Sequence, residues 1–153
     1  MAPFRLTRSV AAGPEEVWRR VTDWRAHAAR VPLTRLASVR GEPVGPGTLV
    51  VVRSGIGRFG VDDPMEVVRW EPPAPGVPGR CRLEKRGRVV RGWAEITVLG
   101  RERETLVVWE EELAVWPLPR GLDPLVARVG RRMFGRALDG VLRGVAPGGG
   151  GAF

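Results

Sequence analysis

The chain has one cysteine, one histidine and no tyrosine among its 153 residues. One cysteine cannot close an internal disulfide, and together with one histidine it cannot build an ordinary zinc site. Disulfide, iron–sulfur and structural-zinc scaffolds are therefore excluded, and neither a metal nor another cofactor is expected. The absence of tyrosine removes the usual phenolic proton donor. No stretch approaches the roughly 20 apolar residues of a membrane helix, and Met1-Ala2-Pro3-Phe4-Arg5 is not followed by an apolar run of signal-peptide type. No membrane span and a cytoplasmic location are expected. Lysine is nearly absent as well: of the 25 basic residues only Lys85 is lysine. The formal net charge of +8 would suit phosphate binding, but the arginines are scattered over the whole length, as a GC-rich coding bias would leave them. No nucleic-acid partner is expected.

What is present suits one globular domain, placed at residues 1–145, with a glycine-rich tail at 146–153 that lacks the apolar content to pack. A chain of this size buries roughly 70% of its unfolded surface, enough for a core without staples. Phe4, Leu6 and Val10 alternate on one face of an opening strand. Gly13-Pro14-Glu15-Glu16 starts a helix, because proline suits a first turn whose amide has no partner and carboxylates complement the positive helix end. A second short helix ends at Val31-Pro32. Strand patterns follow at 33–40, 48–53, 64–70, 80–86, 89–99 and 105–116, with turn residues between them and no crossover helices, which predicts an antiparallel meander. After Trp116-Pro117-Leu118-Pro119 the period becomes helical. Asp123 is the expected N-cap, Pro124 the first residue, and Val126, Val129, Met133, Ala137 and Val141 the apolar stripe laid on the sheet.

This order of elements, with Val17-Trp18-Arg19-Arg20-Val21-Thr22-Asp23-Trp24 after the first strand, resembles the START-like helix-grip (SRPBCC, Bet v 1-like) superfamily over residues 3–145. Asp62-Asp63-Pro64-Met65, Trp70-Glu71-Pro72-Pro73, Gly87-Arg88-Val89-Val90-Arg91-Gly92 and Trp109-Glu110-Glu111 resemble its polyketide cyclase/dehydrase-like actinobacterial branch. The resemblance implies an α+β helix-grip fold: a curved antiparallel sheet of about seven strands around a long C-terminal helix, with two short helices after the first strand. It also implies a cavity between sheet and helix, with chemistry that ranges across the superfamily from cyclisation to plain binding.

Several motifs have both a functional and an ordinary reading. Gly55-Ile56-Gly57-Arg58-Phe59-Gly60 spells a dinucleotide fingerprint, but no helix follows to receive a pyrophosphate, so a flexible loop is expected instead, with Ile56 and Phe59 over a cavity mouth. In Trp109-Glu110-Glu111-Glu112, alternation sends Glu111 to the side of Val107, Trp109, Leu113 and Val115. Glu111 is therefore the carboxylate expected inside, either as a general acid or base or in an ion pair with Arg91 or another cross-strand arginine. Cys81 is expected to be a buried inert thiol, His27 a helix-surface residue, and Trp18 and Trp24 packing for the first helices. Gly130 and Gly140 either permit close strand contact or leave room for a ligand.

Two functions remain open at this stage. One is binding of a small hydrophobic or amphipathic metabolite, polyketide- or lipid-like, with Ile56, Phe59, Met65, Val67, Leu83, Trp109, Met133 and Val141 as ligand-binding candidates. The other is a polyketide cyclase/aromatase-type enzyme catalysing aldol cyclisation and dehydration, with Glu111 as the catalytic candidate. The sequence leaves monomer and homodimer open.

Overall fold

The computed structural model describes residues 3–56 and 58–143; the expected tail at 146–153 lies outside them. The chain opens with strand β1 (Pro3–Val10), followed by helices α1 (Pro14–Val21) and α2 (Trp24–Ala29). Strands β2 (Thr34–Arg40), β3 (Leu49–Ile56), β4 (Phe59–Glu71), β5 (Gly79–Arg86), β6 (Val90–Gly100) and β7 (Thr105–Val115) follow. A 3-10 turn at Arg120–Leu122 then leads into helix α3 (Asp123–Arg143). The strands form one antiparallel sheet in the order β1-β7-β6-β5-β4-β3-β2, so that the first strand closes against the last. Helix α3 lies across β1 and β7, and α1 and α2 fill the rest of the concave side. This is the helix-grip arrangement expected from the element order.

Period-two alternation sets the two faces of the sheet. Val107, Trp109, Glu111 and Leu113 of β7 are buried while their neighbours are only half-buried, and Ala94, Ile96 and Val98 of β6 behave alike. Under this face lie Val17, Val21 and Leu138, each fully shielded from water; each such side chain contributes on the order of 1.5–3 kcal/mol relative to exposure. The outer face carries charge pairs instead, with Arg82 held by Glu84 and Glu95 at 3.0 Å and stacked on Trp93.

Three local expectations are corrected. The segment at Gly55–Gly60 is not a loop: β3 runs to Ile56, β4 starts at Phe59, and these two residues pair directly across a tight turn. The glycines permit this closure, since a Cβ on Gly55 (φ +153°) would stand 2.1 Å from the Phe59 carbonyl oxygen. Asp123 is not an N-cap, because its own dihedrals (φ −53°, ψ −42°) are already helical and the 3-10 turn runs straight into α3. The buried side of α3 is also rotated from the expected stripe. It is built from Ala127, Gly130, Ala137, Leu138, Val141 and Leu142, while Val129 is exposed. The small residues face the sheet because the strands supply the bulk: a Cβ on Gly130 would meet Leu113 at 2.9 Å and Phe4 at 3.2 Å. Gly140 instead accommodates the Arg30 side chain at the end of α2.

Candidate ligand cavity

Between α2, the inner face of the sheet and the first half of α3 lies a cavity of about 540 Å³, open at one end. Val52, Met65, Leu83, Ala94 and Leu113 line it from the sheet; Val126, Met133 and Phe134 line it from α3. Trp109 stacks on Phe134 (centroids 6.0 Å apart, 20° between planes), and Phe134 stacks in turn on Phe4. Aromatic pairs of this kind contribute about 0.5–1.5 kcal/mol each beyond what area burial alone gives.

Three charged side chains interrupt the apolar lining at one place. Glu111 of β7 and Lys85 of β5 face each other across β6, whose intervening residues, Gly92 and Ala94, are too small to separate them. The Lys85 ammonium lies 3.7 Å from Glu111 Oε1 and 2.8 Å from Asp63 Oδ2 of β4, with Lys85 and Glu111 almost wholly shielded from water. The Trp109 indole N–H donates to Glu111 Oε2 at 3.0 Å. Burial pushes the Glu111 carboxyl above the ordinary carboxylate range, and the Lys85 charge and the Trp109 hydrogen bond only partly oppose it. Burial alone would lower the Lys85 pKa, but the charges of Glu111 and Asp63 outweigh it and raise it. The cluster is therefore one buried ammonium set between two acidic side chains, with the Glu111 carboxyl held above its ordinary range.

His27 adds a fourth polar group. It is buried, not on the helix surface as expected, and its ring packs against Trp109 with centroids 5.0 Å apart. Its Nε2–H donates to the Val21 carbonyl at 2.9 Å, which leaves Nδ1 as a bare acceptor without a partner among the described residues. Burial lowers its pKa to about 4, so the ring is neutral near pH 7. Trp24, one turn earlier on α2, lines the cavity too, with its indole N–H unpartnered among the described residues. Trp18, in contrast, packs against Trp70 outside the lining.

A pH dependence follows from His27. Its folded pKa lies below the ordinary histidine value of 6.5, so between about pH 6.5 and 4 the unfolded chain takes up a proton that the folded chain refuses. Stability from this group is lost as pH falls through that window, by about 3 kcal/mol in all. Glu111, with a raised pKa, acts in the opposite direction. The two separate in a comparison with His27→Gln: the stability difference between native chain and variant should shrink by about that amount from pH 7 to pH 4 in urea unfolding. Parallel curves would show that His27 is solvated.

Of the expected ligand residues, the structure brings Met65, Leu83, Trp109 and Met133 together around the cavity, along with Glu111. Val67 and Val141 are core residues outside the lining, and Ile56 and Phe59 stand exposed at the β3–β4 turn. The partner of Glu111 is Lys85, not Arg91, which is exposed and pairs with Arg86 beside the β5–β6 turn. Cys81 is buried and its thiol is pushed up to about 12 by burial, which leaves it unreactive. Lys85, Asp63, His27 and Trp24 are the site residues that sequence reasoning missed.

The sequence matches the family described as polyketide cyclase / dehydrase and lipid transport over residues 1–146. The chain belongs to this family. A comparison with curated proteins finds no match. Among solved structures, the family member is similar to a protein from Thermus thermophilus (TM-score 0.68, 18% identity, covering 93% of this chain and 95% of that one). It is also similar to the ZhuI aromatase/cyclase of a Streptomyces species (TM-score 0.64, 15% identity, 93% and 92% covered). A START superfamily protein of Mycobacterium smegmatis gives a TM-score of 0.65 at 14% identity, with 92% of this chain and 97% of that one covered. At these identities the likeness establishes the helix-grip fold.

Proposed function

We propose that the protein binds one small hydrophobic or amphipathic molecule, polyketide- or lipid-like, in the cavity between the sheet and α3. The observation that carries this reading is an apolar space of about 540 Å³ with its charge confined to the Asp63–Lys85–Glu111 cluster. That volume lies within the range of roughly 300–1,000 Å³ typical of small-molecule sites. An apolar body would sit against Met65, Leu83 and Met133, and a polar substituent would be oriented by the cluster. Native mass spectrometry of freshly purified protein should find a co-purified small molecule, and a polycyclic probe such as anthracene should quench Trp109 fluorescence. Met133→Trp, which fills the cavity, should weaken the quenching about tenfold or more. No bound mass, together with no quenching by any polycyclic or fatty probe, would remove the reading.

One observation favours catalysis as a second reading. Aldol closure takes a proton from carbon and delivers one to a carbonyl oxygen, and the cluster sets two acidic side chains, Asp63 and Glu111, around one ammonium, with the Glu111 carboxyl raised in pKa. This pair would serve as base and acid to a folded poly-ketone chain, with the walls supplying proximity.

A further inference from the structure

Large apolar side chains that remain in water are concentrated at one end of the molecule. Among the described residues they are Leu33, Ile56, Phe59, Val61, Trp116, Leu118, Leu122, Leu125 and Val129, with Val77 the one member elsewhere. Antiparallel pairing brings the β3–β4 turn, the β5–β6 turn and the end of β7 to the same edge of the sheet. Trp116 is tied there by its N–H to the Val89 carbonyl, and Leu33 by the Gly55 N–H to its own carbonyl. Val61, Leu118, Leu125 and Val129 also line the cavity, so this apolar rim is continuous with the interior. Phe59 is 82% exposed and Trp116 is 64% exposed. Leu33 holds a left-handed backbone (φ +58°) that leucine rarely adopts, a strain retained at an exposed position.

The charge around this rim is positive. Arg58 lies in the β3–β4 turn, Arg88 in the β5–β6 turn and Arg120 in the 3-10 turn; all three are exposed and form no ion pair with another described residue. We propose that this end of the protein docks on an anionic lipid surface, with Phe59 and Trp116 entering the interface and the three arginines meeting lipid phosphates. Separate turn tips suit a soft, laterally mobile interface better than a flat protein face, and tryptophan and arginine are the side chains that settle at headgroup depth. Docking in this orientation sets the cavity mouth against the hydrocarbon, whatever molecule the cavity takes, so that an apolar ligand would enter without crossing water.

The test is co-sedimentation of the full chain with phosphatidylcholine vesicles, with and without about one-third phosphatidylglycerol. The native chain should sediment with the anionic vesicles at low salt and be released as salt rises. Phe59→Asp and Trp116→Asp should each cut the bound fraction about tenfold, and Phe59→Ser should do so without adding charge. Val77→Asp, which makes the same charge change at the opposite end, should bind as the native chain does. Absence of binding overturns the proposal. So does equal binding by all variants, which would be adsorption through overall charge. A dimer in sedimentation velocity that Phe59→Asp dissociates, with vesicle binding unaltered, would overturn it in favour of a second copy of the chain.

Discussion

Lys85→Met is expected to lower the unfolding free energy by about 3–5 kcal/mol at pH 7, the usual cost of breaking a buried ion pair by removing one partner. Methionine matches the length of the lysine stem and the neighbouring apolar walls, so little of the loss would come from shape. The loss arises because Asp63 and Glu111, which now share one ammonium at 2.8 and 3.7 Å, would face each other in a dry space. Glu111, which burial already holds above the ordinary carboxylate range, would lose the ammonium that opposes that rise. A group with a raised folded pKa stabilises below its unfolded pKa and loses that stability as pH rises, so the defect should shrink as pH falls from 7 toward 4. Urea unfolding at the two ends of that range measures it. A loss below about 1 kcal/mol at pH 7 would place Lys85 in water.

Lys85 also marks how far the sequence can be read. Its strand, Gly79-Arg80-Cys81-Arg82-Leu83-Glu84-Lys85-Arg86, alternates, and Cys81, Leu83 and Lys85 share the inward face. The same period puts Asp63 with Met65 and Val67 on β4. Both charges are therefore legible in principle, and the lone lysine among arginines is a further signal. A charged residue at a strand end is ordinarily solvated, however, and only the register across β4, β5, β6 and β7 shows that the three groups meet. Glu111 can be assigned from its own strand because Val107, Trp109 and Leu113 flank it on a long apolar face. His27 sits on a helix of six residues, too short for a convincing period, although Trp24, His27 and Ala28 do follow the spacing of a buried face.

The rotated stripe of α3 has a different cause. Counting apolar residues favours Val126, Val129 and Met133, and this count gives glycine no weight. Contact with β1 and β7 selects the smallest side chains, so Ala127 and Gly130 go to the strands while the bulkier residues turn toward the cavity and its mouth. Fold order and strand faces are local properties and can be read from one chain. The site is a product of register and helix rotation, which depend on residues far apart in sequence.

Glu111→Gln distinguishes the two functional readings. The amide can still accept from the Trp109 indole, and Lys85 keeps Asp63 at 2.8 Å, so the change should cost no more than about 1 kcal/mol of stability. Ligand affinity should stay within a few-fold, because the apolar walls are untouched. If the cavity catalyses aldol closure, the variant has lost the one buried carboxyl whose pKa is raised. Turnover of a poly-ketone chain at saturating substrate should then fall by roughly 10²–10⁴, the usual worth of a positioned acid or base, while KM barely moves. If the protein only binds, the native chain will show no turnover to lose, and the co-purified molecule will bind the variant nearly as well. A fall in affinity matching any fall in turnover would fit neither case and would make Glu111 a direct anchor of the ligand. Glu110 and Glu112 supply the control: Glu110 pairs with Arg5, Glu112 accepts from the Trp93 indole, and both lie on the outer face. Glu110→Gln should therefore leave binding and turnover unchanged.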